Sequence, residues 1–360
     1  MITEEPARLN LLNELIHRTL KPVVRKVDAE AYYPRDFLLE LGRSGLLPAH
    51  PLTEQQIVSA GVRLVEETSK VCMTTGFNLW CHLTASTYLR NSDNAYLKAN
   101  VLPRLENGQM LAGTGLSNPM KYYAGMERLC LKARREDNGY IVSGLLPNVS
   151  NLGPDHAFGI VAALEDDTRV MAFVHCGLAG LSLREKVSYL AVNGSATYSC
   201  DFQDVFVPDD WIIARDADSF IPAVRPAFLM YQIPLGLGVT AASIQSMRNA
   251  RDKQGGCNSF IGVQPDELAQ ELETLRESVY ELAAANGDSL ELWQEACKLR
   301  LDVTYLTLKA VQACMLHCGG SGYLQHSDPS RRLREAYFLS NLTPTVKHLE
   351  KMRYLQASGH

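Results

Sequence analysis

The sequence lacks three features that would place it in a class at once: an excess of positive charge, a cysteine framework and a long uninterrupted apolar run. Its 35 lysines and arginines are outnumbered by 40 aspartates and glutamates, which gives a net charge of −5. A chain of this charge has no basic field to attract nucleic acid or an anionic membrane surface. We therefore expect neither nucleic acid nor a membrane as a partner.

The nine cysteines are scattered without the short paired spacings of a disulfide framework. This usage indicates reduced thiols, as in a cytosolic protein, and predicts no disulfide. The first ten residues are acidic and polar rather than basic and then apolar, so they do not resemble a secretory leader. We find no 18-residue apolar run that predicts a membrane span, and we expect a cytoplasmic protein.

What the chain does contain is enough apolar surface for a large core, since 46% of its 360 residues are hydrophobic. That length predicts two or three domains. Apolar residues recur at helical spacing in the first and last thirds, and short β-rich runs separated by turn residues fill the middle. The predicted regions are 1–110 (helical), 111–215 (β) and 216–360 (helical), with carboxyl-terminal helices at 226–254, 264–285, 288–318 and 329–356.

The most distinctive stretch begins at Gln312, where an apolar helix runs into the sequence GGSGY at residues 319–323. A turn at Asp328-Pro329 and an arginine-rich helix follow. The paired glycines Gly319 and Gly320 allow close backbone approach, so a phosphate-bearing ligand can use the exposed backbone groups. An ordinary glycine C-cap between two packed helices explains the same pattern.

This order of elements resembles the acyl-CoA dehydrogenase family, whose members carry a similar GGxGY followed by an Arg-Asp-Ala step, here Arg334-Glu335-Ala336. The phrase FQDVFVP at 202–208 resembles the "F.DV.VP" phrase that closes the family's middle domain. The resemblance implies an α+β multidomain fold with an N-terminal α-helical domain, a middle antiparallel β-barrel-like domain and a C-terminal four-helix bundle. It also implies FAD, an acyl thioester substrate, an electron-transfer partner and a homodimer or homotetramer.

In the family, two middle-domain segments line the flavin with a threonine hydroxyl each. The matching positions here are Ser117 and Ser150, so both hydroxyls are kept, whereas a tryptophan of the second segment is replaced by Asn148. Hydroxyls and backbone amides at the pyrimidine edge of a flavin stabilise the charge that develops there on reduction. The cofactor contacts that the resemblance implies are Leu116, Ser117, Val149, Ser150, Gly319, Gly320 and Thr345.

The distal cofactor contacts depart from the family pattern. After the helix that ends near 254, the family has an arginine and an aromatic residue that reach the FAD of a neighbouring subunit. The loop at 251–257 keeps cations but has no aromatic residue, so FMN remains an alternative cofactor. The resemblance places Arg225 near the acyl or CoA portion of the substrate.

The sharpest departure concerns the catalytic base. The family's usual glutamate position, in an "E-G-T" phrase, falls on Thr343-Pro344-Thr345, and the base position of other members falls on Pro226. A threonine hydroxyl does not ionise near neutral pH, so Thr343 cannot act as the same general base. We therefore expect catalysis at Thr343 to be non-standard, or the base to be missing.

Two other patterns carry less weight. The stretch Gly236–Ala241 formally fits GxGxxA, but it follows Pro234 inside an apolar helix rather than a strand, which indicates helix packing. Cys314, His317, Cys318 and His326 lack the paired short spacings of a zinc site, and we expect no metal.

Three functions remain open from the sequence. The first is an acyl-CoA dehydrogenase-like oxidoreductase with FAD that acts on the CH–CH group of an acyl thioester. The second is a flavin-dependent monooxygenase of the same fold, in which His348 assists formation of a hydroperoxide. The third is a non-catalytic flavin-binding homologue.

Overall fold

The structure is a computed structural model, and it describes residues 4–186, 188–252 and 254–357. The amino-terminal third is helical, as the sequence predicts. Helix α4 begins at a capping box in which the Thr53 hydroxyl accepts from the Gln56 backbone N–H and the Gln56 side chain accepts from the Thr53 N–H. The helices are α1 (Glu4–Leu15), α2 (Val24–Ala29), α3 (Arg35–Arg43), α4 (Glu54–Val71), α5 (Met73–Asn91) and α6 (Leu102–Glu106).

Helix α5 lies at the centre of the molecule, and every residue from Met73 to Leu89 is buried. A helix that is buried on all sides has no solvent face, so its polar residues must find partners inside. His82 does so on both ring nitrogens: Nδ1 lies 3.3 Å from the Ala112 amide nitrogen and Nε2 lies 3.2 Å from the Leu105 carbonyl oxygen. These two contacts hold α5 against α6 and against the start of β1.

The middle region forms one sheet of eight strands. Seven of them follow the order β6-β7-β3-β2-β4-β5-β8, and β1 pairs with β4 on the side of that path. The helix α7 (Ser117–Tyr123) follows β1. The strands are β1 (Ala112–Thr114), β2 (Leu131–Glu136), β3 (Gly139–Val149), β4 (Ala157–Ala163), β5 (Arg169–His175), β6 (Leu181–Lys186), β7 (Thr197–Pro208) and β8 (Ile212–Ala214).

The expectation of an antiparallel sheet needs one correction, because β4 pairs in parallel with both β1 and β2. The other pairings are antiparallel, as expected. The reason is that β1 enters from the helical region before α7, so it joins the sheet beside a strand that it does not precede directly.

The carboxyl-terminal region contains six described helices rather than the four that the sequence pattern predicts. Pro234 lacks a backbone N–H and leaves the carbonyl of Met230 without its helical partner, so the predicted helix 226–254 is divided there. Pro344 divides the predicted helix 329–356 in the same way. The helices are α8 (Ala217–Met230), α9 (Ile233–Ala250), α10 (Pro265–Ala284), α11 (Ser289–Gly322), α12 (Asp328–Asn341) and α13 (Val346–Ala357).

The stretch Ala217–Ala250, which forms α8 and α9, is long and apolar enough to cross a membrane by length and composition, contrary to our reading of the sequence. It is mostly buried within the bundle, so it is accounted for as core. Helices from both ends of the chain share one apolar core, and a second core lies inside the sheet. The domain boundaries near residues 110 and 215 therefore remain a prediction from the sequence.

Candidate functional site

The candidate site is a cavity of about 310 Å³ between the sheet and the last helices. Four of the hydroxyl residues that the sequence singles out line it together: Ser117, Ser150, Thr343 and Thr345. They come from three separate parts of the chain. The remaining lining residues are Phe77, Trp80, Cys81, Thr114, Lys121, Asn148, Tyr189, Val192, Thr197, Phe228, Phe338, Asn341 and Leu342.

Ser117 and Thr343 meet directly, with 2.9 Å between Oγ and Oγ1. Ser117 begins α7 just after β1, and Thr343 lies in the turn that Pro344 forces between α12 and α13. Because a proline disfavours helical backbone at the preceding residue, Thr343 lies outside both helices, and its hydroxyl meets Ser117 at the start of α7. The break that the sequence pattern missed thus produces this contact.

Ser150 belongs to a short chain of hydroxyls at the other side of the cavity. Its Oγ lies 2.6 Å from Thr197 Oγ1, which in turn lies 2.7 Å from Ser195 Oγ. The backbone of Ser150 bridges to Thr114, whose hydroxyl lies 2.8 Å from the hydroxyl of Tyr88. These hydroxyls can each donate or accept, so together they can adapt to a ligand edge that presents both kinds of group.

The turn that carries Thr343 is held from behind by a buried polar network. Gln232 Nε2 donates to the Thr343 carbonyl at 2.9 Å, and Arg300 Nε donates to Gln232 Oε1 at 2.9 Å. Arg300 Nη2 also donates to the carbonyl of Leu339 at 2.7 Å. Burial lowers the pKa of Arg300 to about 9, so its guanidinium is still a cation at neutral pH. No local pattern predicts this network, since its members lie far apart along the chain.

One wall of the cavity is aromatic. Phe77 and Trp80 on α5 stack with 5.3 Å between ring centroids, and Phe228 and Phe338 each meet this pair edge to face. Trp80 Nε1 donates to the carbonyl of Phe228 at 2.8 Å, which satisfies the indole. The wall is therefore apolar and fixed in shape.

The opposite rim supplies an aromatic residue that the sequence reasoning missed. Tyr189 lines the cavity, and its hydroxyl donates to Asn148 Oδ1 at 2.9 Å. Asn148 occupies the position where the resemblance led us to expect tryptophan. The order of residues gave no hint that a tyrosine 41 positions later would stand beside it.

The cavity has little charge. Of the described residues that line it, none is an aspartate or glutamate, and Lys121 is the single lysine or arginine. Lys121 Nζ donates to Glu127 Oε1 at 2.9 Å, and this hydrogen bond lowers the pKa of Glu127. Burial raises the pKa of the Cys81 thiol well above its usual value, so it stays protonated. No grouping of three His, Cys, Asp or Glu side chains suited to a metal occurs among the described residues.

The other residues named from the sequence lie elsewhere. Leu116 and Val149 are buried neighbours of Ser117 and Ser150. Arg225 is not among the lining residues, and its guanidinium packs over the ring of Trp293 at 5.0 Å. Its pKa is lowered by burial. We had placed Arg225 near the substrate, and the structure does not bring it to this cavity.

Gly319 and Gly320 do not line the cavity either. The regular part of helix α11 ends at Gly319, whose backbone is non-helical (φ 53°, ψ −139°), and a last turn continues to Gly322, so the break falls where the sequence predicts it. Helix α12 follows and rises about 21 Å over its 14 residues before the Thr343 turn. The glycines are thus at the opposite end of α12 from the cavity, and any cofactor contact they make is with another part of the ligand or with another chain.

His348 is buried beside the site but is not a lining residue. Its backbone N–H contacts Thr345 Oγ1 at 3.4 Å, and burial lowers the pKa of its ring. A neutral buried ring outside the cavity does not support the role in hydroperoxide formation that the sequence suggested.

No family model matches the chain. Individual proteins do. The short-chain-specific acyl-CoA dehydrogenase of Clostridium acetobutylicum is 22% identical over 370 aligned positions, covering 97% of this chain and 95% of that protein. The mitochondrial isovaleryl-CoA dehydrogenase of Oryza sativa is 24% identical, covering 90% and 84%.

Solved structures agree in fold. The butyryl-CoA dehydrogenase of Megasphaera elsdenii superposes with a TM-score of 0.85 at 16% identity, covering 96% of each chain. KijD3, whose structure was solved with FMN and a dTDP-linked amino sugar, gives a TM-score of 0.81 at 17% identity, covering 98% and 93%. Over nearly its whole length the chain is thus similar in sequence to curated acyl-CoA dehydrogenases, and it shares their fold.

Proposed function

We propose that the protein is an FAD-dependent oxidoreductase that acts on the CH–CH group of an acyl thioester, with a non-standard or missing base. The observation that carries the proposal is the convergence of Ser117, Ser150, Thr343 and Thr345 on one cavity. Similarity to acyl-CoA dehydrogenases over nearly the whole chain supports the cofactor and the reaction class, since these enzymes are flavoproteins.

The residues present fit a flavin. Its ring system needs hydrogen-bond partners along its polar edge and an apolar surface against its face, and the cavity is lined by both hydroxyls and aromatic side chains. In the bound state, Ser117 and Ser150 would hold the polar edge together with the backbone of Leu116 and Val149, and Thr345 would contact the same group. The flavin supplies the capacity to accept a hydride equivalent.

The chain differs from the family pattern in the group that would remove a proton from the substrate. A positioned base supplies about 10²–10⁴-fold in rate. No described lining residue carries a carboxylate, and the Thr343 hydroxyl is already within 2.9 Å of Ser117. Neither hydroxyl is a base at neutral pH. We infer that oxidation of ordinary saturated acyl thioesters is slow.

A second candidate is a flavin-dependent monooxygenase. One observation favours it: the cavity holds no described acidic side chain, and a reaction that begins with reduced flavin and oxygen does not need one at this position. The fold is compatible, because KijD3, which was solved with FMN, shares it. A non-catalytic flavin-binding role is the third candidate. The retained hydroxyls of Ser117 and Ser150 argue against it.

Assembly belongs to the same proposal. An apolar surface at the end of α11 is formed by Phe260, Leu316, Tyr323 and Leu324, whose exposed fractions are 90%, 66%, 85% and 65%. Asn258 Nδ2 donates to the His317 carbonyl at 3.2 Å, which joins the segment before Phe260 to α11. We infer that a second copy of the chain covers this surface in a homodimer or homotetramer. Phe260 then supplies an aromatic residue a few positions beyond the loop in which we found none.

The experiment is an anaerobic titration of the FAD-loaded protein with acyl-CoAs of increasing chain length, following flavin absorbance. Slow or absent bleaching by every member, with bleaching restored in Thr343→Glu, supports the dehydrogenase fold with a missing base. If NAD(P)H-reduced flavin then reacts with oxygen to form a long-lived adduct, the monooxygenase is the better assignment. A protein that binds no flavin overturns the proposal.

A further inference from the structure

A second cavity, of about 750 Å³, lies where α2, α4, α9 and α12 meet. It shares no lining residue with the cavity described above. Eight of its lining residues are titratable or charged, and cations prevail. They are Lys21, Arg25, Asp28, Lys70, His326, Asp328, Arg331 and Arg332, beside Val24, Val71, Ala241, Ala242, Gln245 and Ser246.

Several of these charges are already neutralised. Asp28 accepts two hydrogen bonds from Arg334, at 2.8 and 2.7 Å. Arg331 donates to Glu335 and to Asp328, each at 3.0 Å. Lys70 lies 2.7 Å from Glu67. Both aspartates of the cavity are therefore engaged by arginines and oppose an anion less than free carboxylates would.

Three cations are left over. Lys21, Arg25 and Arg332 form no ion pair with a described carboxylate within 4.0 Å. Lys21 and Arg25 are exposed at the mouth, on successive turns of the chain before and within α2. Lys21 and Arg332 do help Arg331 to lower the pKa of Asp328, but they do not pair with it directly. The cavity thus holds more cations than anions in a protein whose net charge is negative.

Arg332 is the unusual member. It is only 5% exposed, and its Nη2 donates to Ser246 Oγ at 2.6 Å. Its Nε has no hydrogen-bond partner among the described residues. A buried guanidinium without a carboxylate partner is costly, and such groups are retained where a planar, multidentate anion binds. Arg332 therefore points to a ligand rather than to a surface contact.

We propose that this cavity binds a small phosphorylated organic molecule. The cations would hold the phosphate through charge-assisted hydrogen bonds, with Arg332 able to present two N–H groups to it. Val24, Val71, Ala241 and Ala242 give the cavity an apolar side for the organic portion. Its volume is in the range of pockets for metabolite-sized ligands and is far larger than a bare phosphate requires.

The test is calorimetric titration of the full chain after it has been loaded with FAD and freed of unbound FAD by gel filtration, so that a flavin site is filled and no free FAD competes for the second cavity. The probes are AMP, ribose 5-phosphate, adenosine and inorganic phosphate. We expect saturable binding of both organic phosphates, none of adenosine, and at least tenfold weaker binding of inorganic phosphate. Affinity should fall with added salt, because two of the cations are exposed.

The variant Lys21→Gln/Arg25→Gln should bind the organic phosphates at least tenfold more weakly than the wild type does. Lys26→Gln is the control, because it removes one positive charge from an exposed position of α2 that does not line the cavity. This variant should bind the organic phosphates as the wild type does. Arg332→Gln should abolish binding, with its thermal melt reporting whether the fold is kept.

Three results would overturn the assignment: no saturable binding of either organic phosphate, equal binding of inorganic phosphate, or unchanged affinity in the Lys21→Gln/Arg25→Gln variant. None of these depends on whether the protein oxidises an acyl thioester. If no flavin binds, the titrations are run without FAD and are read in the same way.

Discussion

Ser117 Oγ and Thr343 Oγ1 lie 2.9 Å apart, although 226 positions separate them in the chain. One hydroxyl begins a helix of the middle region, and the other lies in a turn of the last helical region. Their contact marks the place where the sheet and the bundle meet over a common cavity. If Ser117 holds the flavin edge, as we propose, a longer side chain at position 343 can reach a substrate bound beside it.

We predict that flavin binding depends on both serine hydroxyls. Ser117→Ala and Ser150→Ala should each raise the flavin Kd by about tenfold, because each removes one hydrogen bond worth about 1 kcal/mol or more to a buried ligand. Flavin fluorescence quenching measures this. Ser182→Ala, at an exposed position of β6, is the matched control and should bind as the wild type does. Equal flavin affinity in all three variants would show that the flavin does not bind in this cavity.

The second prediction concerns the base. Thr343→Glu should increase the rate of flavin bleaching by some acyl-CoA by about 10²-fold or more, because it places a carboxylate where the wild type has a neutral hydroxyl. Stopped-flow absorbance under anaerobic conditions measures the rate. Thr343→Gln has nearly the same shape without the charge and should stay slow. Fast bleaching by the wild type that persists in Thr343→Ala would show that the base lies elsewhere.

The third prediction is a pH dependence of stability that comes from His82. Burial lowers its pKa to about 4 from 6.5. Below pH 6.5 the unfolded chain binds a proton that the folded chain does not, so the free energy of unfolding should fall as pH drops from 6.5 to 4. The full loss is about 3 kcal/mol, at 1.36 kcal/mol for each pKa unit. Urea unfolding at several pH values measures it.

His82→Gln is the control for that measurement. A glutamine amide can accept from the Ala112 N–H and donate to the Leu105 carbonyl, so it can keep both contacts of the imidazole but does not titrate. The variant should lose less stability between pH 6.5 and 4 than the wild type. Parallel curves for the two proteins would show that His82 is not the group responsible.

The fourth prediction tests the apolar surface at the end of α11. Leu316→Arg should dissociate the assembly or weaken it by at least tenfold, because it puts a charge into an interface that excludes water. Sedimentation velocity at micromolar concentration measures the species present. Leu145→Arg, at a 50% exposed position of β3, should leave the assembly intact. A wild type that sediments as a monomer of 39.9 kDa would contradict the inference.

The sequence determined the kind of element in each third of the chain. Helical periodicity located α10 and α11 within a few residues of their observed ends, and the run of short β-rich segments indicated the sheet. These patterns are local, because side-chain burial repeats every 3.6 or every 2 residues along one element. The motif positions Ser117, Ser150, Thr343 and Thr345 were also available from the sequence.

Pairing was decided by the tertiary structure. The parallel partners of β4, the stacking of Phe77 on Trp80, the support of Thr343 by Gln232 and Arg300, and the position of Tyr189 beside Asn148 all join residues that local patterns treat separately. Arg225 and Gly319 lie outside the cavity for the same reason, since packing between distant segments decides where they are placed. A resemblance assigns a residue to a motif, but the packing of helices over the sheet decides which motifs face one space, because burial and hydrogen bonding are satisfied across the whole molecule rather than along the chain.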